Sequence, residues 1–162
     1  MTFSYGEAGD IPLFGDWNGD GVRTPGVYRP SNGWFYLKNS FGPGPGDINF
    51  YYGNIGDKPI VGDWNGDGID TVGVIRNQPN SVLSQGSKWW YLRNSNTTGN
   101  GDISFQYGYS NDQQVVGDWN GDGVTTIGVH RGNAWYLRNG NSCCAGDINF
   151  TYGNSGDIPR VW

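Results

Sequence analysis

The side chains best placed to do chemistry are the acids and amides of the segment GDWNGDG, which occurs three times, at 15–21, 62–68 and 117–123. Counted from its first aspartate, each copy carries an oxygen-bearing side chain at positions one, three and five. These are Asp16, Asn18 and Asp20, then Asp63, Asn65 and Asp67, then Asp118, Asn120 and Asp122. A glycine at position six permits a sharp turn, and the odd spacing lets a curled loop aim alternate side chains at one centre. Hard oxygen donors in this order open a Ca²⁺ loop and disfavour transition metals. The main-chain carbonyl of position seven (Val22, Ile69, Val124) and the hydroxyl of position nine (Thr24, Thr71, Thr126) are expected to complete the shell.

A Gly/Asn/Asp hairpin can also satisfy its carboxylates on its own backbone without any metal. Two carboxylates in one short loop repel, however, unless a cation neutralises them, and three copies in register favour the cation. An EF-hand needs flanking helices and a bidentate Glu at position twelve. Val27, Val74 and Val129 stand there, and the flanks read as strands. Inside the loops, Trp17, Trp64 and Trp119 set an aromatic ring beside acidic and amide groups, the composition of a glycan platform.

Nothing in the chain assembles into a catalytic set. His130 is the sole histidine, and Tyr28 and Ile75 occupy its place in the other copies; an acid or base also needs a positioned partner. The loop aspartates recur three times, as ligands do and a single active site does not. No enzyme is expected.

The elements that hold the loops are legible from two further repeats. The segments Trp34–Asn39, Trp89–Asn94 and Ala134–Asn139 follow the loops in the same register, and F-x-Y-G begins at Phe3, Phe50, Phe105 and Phe150. Each period reads as four short extended segments separated by turn residues. The longer connection Asn77–Lys88 and the Gly/Pro-rich Phe41–Gly46 are assigned to surface loops, where insertion is tolerated. The expected fold is all-β: a single domain over 1–162 made of three four-stranded tandem repeats, about 7–53, 54–108 and 109–153, with 1–6 and 154–162 as incomplete terminal units. Repeats of this length suggest β-propeller-like blades, each burying its face on its neighbour. A closed, β-trefoil-like fold of three repeats is the alternative. The strand tryptophans Trp34, Trp90 and Trp135 read as packing residues. Arg29, Arg76, Arg131, Lys38, Arg93 and Arg138 read as cross-strand partners or ring-stacking cations.

At this point the chain resembles the FG-GAP and VCBS-type repeats of integrin-like β-propellers, through DWNGDGVRTPGV, DWNGDGIDTVGV and DWNGDGVTTIGV. The resemblance implies a blade loop stiffened by Ca²⁺, an extracellular or cell-surface location and no catalysis. Those families commonly carry an acid at position nine, where this chain has threonine, and more than three blades.

Composition limits the partners. Among 162 residues there are 29 Gly, 8 Trp and 10 Tyr, the net charge is -5, and the sequence pI is about 4.5. Acidity of this order gives no electrostatic footprint for nucleic acid or anionic lipid, and no apolar run is long enough for a membrane span. The start MTFSYGEAGD lacks the regions of a signal peptide, so targeting information is expected to have been removed. Cys143 and Cys144 are adjacent and cannot staple distant segments as an ordinary intrachain disulfide; a bland loop pair, a vicinal bridge and an intermolecular bridge stay open. Asn96 and Asn149 head N-glycosylation patterns that arise often by chance. The function expected is a calcium-stabilised extracellular β-repeat module acting in structural assembly or adhesion. Its incomplete ends are expected to drive self-association as a closed dimer or a head-to-tail fibre, or to mark an excerpt of a longer array. A carbohydrate-binding, lectin-like propeller is the alternative, with a glycan or a surface protein as partner.

Overall fold

A computed structural model describes residues 2–78 and 86–160. In them, strands form three antiparallel four-stranded sheets, each a meander whose strands lie side by side in chain order. The first sheet contains β1 (Ile11–Gly15), β2 (Thr24–Arg29), β3 (Trp34–Leu37) and β4 (Ile48–Tyr51). The second contains β5 (Lys58–Gly62), β6 (Thr71–Gln78), β7 (Ser87–Leu92) and β8 (Ile103–Gln106). The third contains β9 (Gln113–Gly117), β10 (Thr126–Arg131), β11 (Ala134–Leu137) and β12 (Ile148–Thr151). Among the described residues no helix is long and apolar enough to cross a membrane.

The second strand of each sheet explains the stacking. TPGVYR, TVGVIR and TIGVHR do not alternate in burial, since their first five residues are buried without interruption. A strand buried on both sides lies in a sheet covered on both faces, and two apolar clusters provide the cover. Leu13, Trp17, Tyr28, Phe35, Leu37, Phe50 and Tyr52 of the first repeat pack on Val72 and Val74 of the second. Ile60, Trp64, Ile75, Trp90, Leu92, Phe105 and Tyr107 of the second pack on Ile127 and Val129 of the third. The first and second sheets thus each give an aromatic face to the valine or isoleucine face of the next, and the first strands β1, β5 and β9 approach one another in succession. Within the aromatic faces, Phe35 stacks on Phe50 with centroids 5.4 Å apart, and Trp90 stacks on Phe105 at 6.4 Å.

The sequence reading of the edges needs three corrections. Thr2–Gly6, expected from its F-x-Y-G to be a strand of the incomplete first unit, has no ladder partner among the described residues, although Gly6 lies against Val27 as Gly53 lies against Val74. The segment from Ile158 to Arg160, expected to begin a fourth period, likewise has no ladder partner among the described residues, outside which 161–162 lie. The ends of Asn77–Lys88 are not loop: the β6–β7 hairpin runs on through the pairs Asn77↔Lys88 and Gln78↔Ser87. Two added ladder pairs satisfy backbone groups that a loop would leave to solvent, and the remaining 79–85 lie outside the described residues.

A glycine sits at the centre of each second strand because two side chains close over it. A Cβ on Gly73 would come within 2.9 Å of Leu92 Cδ2 and 3.0 Å of Ile60 Cγ1; at Gly128 the nearest atoms would be Leu137 Cδ2 at 2.6 Å and Val115 Cγ2 at 2.9 Å. Over-filling a packed core costs about 1–3 kcal/mol. Gly73→Ala is therefore expected to lower unfolding free energy by that amount in urea titrations, and an unchanged midpoint would show that the strand has room.

Candidate metal loops

Each GDWNGDG segment is the tip of the first hairpin of its sheet, closed at its base by the ladder pairs Gly15↔Thr24, Gly62↔Thr71 and Gly117↔Thr126. Above that base the backbone winds round the carboxylate of position one. Asp16 Oδ1 accepts hydrogen bonds from the amides of Gly19 (2.8 Å) and Asp20 (3.1 Å), and Oδ2 accepts from Gly21 (2.7 Å). Asp63 receives the same three bonds from Gly66, Asp67 and Gly68, and Asp118 from Gly121, Asp122 and Gly123. This wrapping requires positive φ at Gly19 (75°) and Gly21 (83°), a region that side chains with a Cβ rarely adopt. Position three bonds to position five: Asn18 Nδ2 donates to Asp20 Oδ2 at 3.0 Å, Asn65 to Asp67 at 2.9 Å, and Asn120 to Asp122 at 2.8 Å. Positions one, three and five are thereby drawn together in all three loops.

The threonines, the side chains of position seven and the loop tryptophans make contacts of their own. Thr24, Thr71 and Thr126 are buried, and their hydroxyls donate to the carbonyls of Gly15, Gly62 and Gly117 across the hairpin base; Thr24 also donates to Lys38 O at 2.6 Å. Position nine thus serves the strand ladder. At position seven, where the main-chain carbonyl is the expected ligand, the side chains of Ile69 and Val124 pack against Gly19 and Gly66 of the preceding loop, and Val22 is exposed. Two of the loop tryptophans are core residues. Trp17 and Trp64 are 3% and 2% exposed, and a Cβ on Gly15 would meet the Trp17 ring at 2.6 Å. Trp17 Nε1 donates to Thr24 O and Trp119 Nε1 to Ile127 O. A sugar platform needs an open ring face, and Trp17 and Trp64 present none; Trp119, in the last sheet, is partly exposed.

Sequence reasoning missed the clamp between loops. Asp70, at position eight of the second loop, accepts the Asp16 amide on its carboxylate at 2.9 Å and returns its own amide to Asp16 O at 2.7 Å. Thr125, at position eight of the third, does the same for Asp63 with its hydroxyl at 3.1 Å and its amide at 2.7 Å. Asn96 and Asn141 then donate to the carbonyls of Asp70 and Thr125. The Asn96 amide, one of the two glycosylation candidates, is therefore engaged in this junction, and the Asn149 amide donates to Gly146 O. Position eight is Arg23 in the first copy, Asp70 in the second and Thr125 in the third, so no single residue type marks it; the two that make the clamp share an acceptor side chain.

A second missed set is Asp10, Asp57 and Asp112, each recurring four residues after the glycine of F-x-Y-G. Their carboxylates pair bidentately with Arg29, Arg76 and Arg131 at 2.7–3.0 Å. The guanidinium groups lie over the Tyr36, Tyr91 and Tyr136 rings at 4.7, 4.8 and 5.1 Å. Asp157 holds the corresponding turn through Asn154 N but pairs with no arginine among the described residues. The cation of the WYLRN segment holds the turn that follows it: Lys38 bonds Pro45 O, Arg93 bonds Thr97 O and Arg138 bonds Ala145 O. His130 is buried beside Trp135, ring centroids 4.8 Å apart.

The donor set fits a hard cation in one respect that the structure displays. Position one is a carboxylate already locked by three amides, and positions three and five are exposed residues beside it, the position-five carboxylate accepting the position-three amide and the backbone amide of position seven; the position-nine hydroxyl bonds to the hairpin base. Comparison with protein-family models, with curated proteins and with solved structures finds no match. The geometry of the loops themselves carries the functional reading.

Amide donation, chiefly from Gly123, holds the Asp118 carboxyl below the usual carboxylate range, and the Arg29 hydrogen bonds do the same for Asp10. Groups lowered in the folded state contribute stability that is complete above their unfolded value and is lost as pH falls through the lowered one. Urea midpoints should therefore fall on acidification below about pH 4, and a flat profile there would contradict the ion pair and the wrapped loop. Thr125→Val removes the acceptor of the Asp63 amide and should cost about 1 kcal/mol. Thr125→Asp, which restores the acceptor that Asp70 supplies elsewhere, should not.

Proposed function

We propose that the chain is a calcium-stabilised β-repeat module of extracellular or cell-surface type, related to the FG-GAP and VCBS repeats it resembles, with a role in structural assembly or adhesion. The observation that supports this most is the repeated loop: three wrapped carboxylates, each with an amide and a second carboxylate beside it, and the first two clamped to the next repeat. Asp16, Asn18 and Asp20, with their counterparts Asp63, Asn65, Asp67 and Asp118, Asn120, Asp122, would hold the ion. Bound Ca²⁺ would neutralise the paired carboxylates and stiffen the loop. Face-to-face stacking of successive sheets, with first strands adjacent, favours a propeller-like arrangement of blades over a trefoil-like one.

Self-association belongs to the same reading. The aromatic face of the third sheet is built like the two that are covered, yet Phe150 is 44% and Tyr152 74% exposed, against 3% for both Phe50 and Tyr52. On the first sheet Pro25 and Val27, the counterparts of Val72 and Val74, are already buried within the chain, so the surface it offers to the third sheet of a second copy is its half-buried Tyr36 and its exposed Phe14. Burial of Trp17 and Trp64 leaves the lectin reading without those two rings.

A ligand that binds only the folded chain at a hundredfold excess over its Kd stabilises by about 2.7 kcal/mol per site. Tm should rise in Ca²⁺ over EDTA, with a smaller rise for Asp63→Ala, whereas equal Tm values would contradict calcium binding. Sedimentation should show dimers or longer species that Tyr152→Ser weakens. A wild-type chain monomeric at every concentration would contradict self-association while leaving calcium binding intact.

A further inference from the structure

The turn between β11 and β12 differs from its two counterparts in a way that neither stacking nor the loops explain. In the first two repeats the position is Gly44 (φ 113°) and Gly99 (φ 155°); in the third it is Cys144, with φ 93°, the one non-glycine at positive φ among the described residues. A side chain in that region is strained, at a cost of about 1–3 kcal/mol, and glycine would relieve it. The residue before it, Pro43 and Thr98 in the other copies, is Cys143. Both thiols are free and exposed, and their sulfurs are 2.8 Å apart.

The turn is anchored on either side of the pair. Arg138 donates to Ala145 O at 2.6 Å and to Ser142 Oγ at 2.7 Å, and Asn141 donates across the repeat junction to Thr125 O at 2.9 Å. Two thiols held side by side on a fixed turn react with each other before they reach a second molecule. The pair also forms part of the wall of an open cavity of about 330 Å³ between the second and third repeats, together with Tyr107, Tyr109, Arg131 and Tyr136.

We propose that Cys143 and Cys144 are a two-electron redox site that closes within the chain to a vicinal disulfide, with a peroxide as oxidant. One cysteine, as thiolate, attacks a peroxide oxygen; the O–O bond breaks, and the departing hydroxide takes up a proton to leave as water. The resulting sulfenic acid is attacked at sulfur by the second thiol. The S–S bond forms, the S–O bond breaks, and hydroxide leaves with that thiol's proton as a second water. Two thiols and one hydrogen peroxide give one disulfide and two waters, with two electrons passed to the peroxide. Neighbouring Cα atoms stand about 3.8 Å apart across a trans peptide, shorter than the roughly 4.4–6.8 Å usual for a disulfide. The closed ring is therefore strained and readily reduced, which suits a reversible switch better than a structural staple. Its closure would reshape the wall of the cavity beside Arg131 and Tyr136.

The test uses the full chain, reduced and then treated with a small excess of hydrogen peroxide. The monomer should lose two hydrogen atoms by intact mass, both cysteines should cease to react with iodoacetamide, and dithiothreitol should restore both. Cys144→Gly, which installs the residue of the other two repeats, should keep or raise Tm and abolish closure, leaving Cys143 to over-oxidise or to bridge two chains. Covalent dimers from the wild type, sulfinic acids on both cysteines, or undiminished iodoacetamide labelling after peroxide would each overturn the proposal.

Discussion

Everything in this molecule depends on one sheet being unable to bury its own aromatic face. A meander of four short strands has two sides, and the second strand is apolar on both; it becomes a stable element only when a neighbouring sheet covers it. The first two sheets meet that need by giving Tyr28, Phe35 and Phe50, or Ile75, Trp90 and Phe105, to the aliphatic face of the next. The central glycine of each second strand is the geometric counterpart, since leucine from the third strand fills the space a Cβ would take.

The loops ride on that stacking. Their winding is local, set by Asp16, Asp63 and Asp118 and by glycines at positions four and six, but their placement is not. Position eight of one repeat holds the backbone of position one in the repeat before it, and position seven packs on that loop's glycine. A cation held by the loop would therefore act on a junction as well as on a hairpin. The clamp is made twice, at the two junctions that the chain contains; Arg23, at position eight of the first loop, instead lies 3.4 Å from Asp70.

Much of this was legible in the sequence because the repeat averages out local ambiguity. The all-β class and the four segments per period followed from three aligned copies of GDWNGDG and WYLRN, and the pairing of Arg29, Arg76 and Arg131 with stacked rings followed from their register. What escaped depends on contacts between repeats. Burial of Trp17 and Trp64 is decided by the glycines beneath them and the sheet opposite, not by the acidic residues beside them in sequence. The inward turn of Thr24, Thr71 and Thr126 follows from their ladder pairing with Gly15, Gly62 and Gly117, a register that loop-position counting does not contain. The position-eight clamp was hidden because Asp70 and Thr125 share a hydrogen-bonding role and not an identity.

The central claim is that each GDWNGDG loop is a separate hard-cation site. Isothermal titration of Ca²⁺ into the metal-stripped chain tests it most directly. The account predicts three ions per chain, one for each loop in the sequence, falling to two in Asp118→Ala. Absence of binding heat and of any calcium retained after dialysis would contradict it.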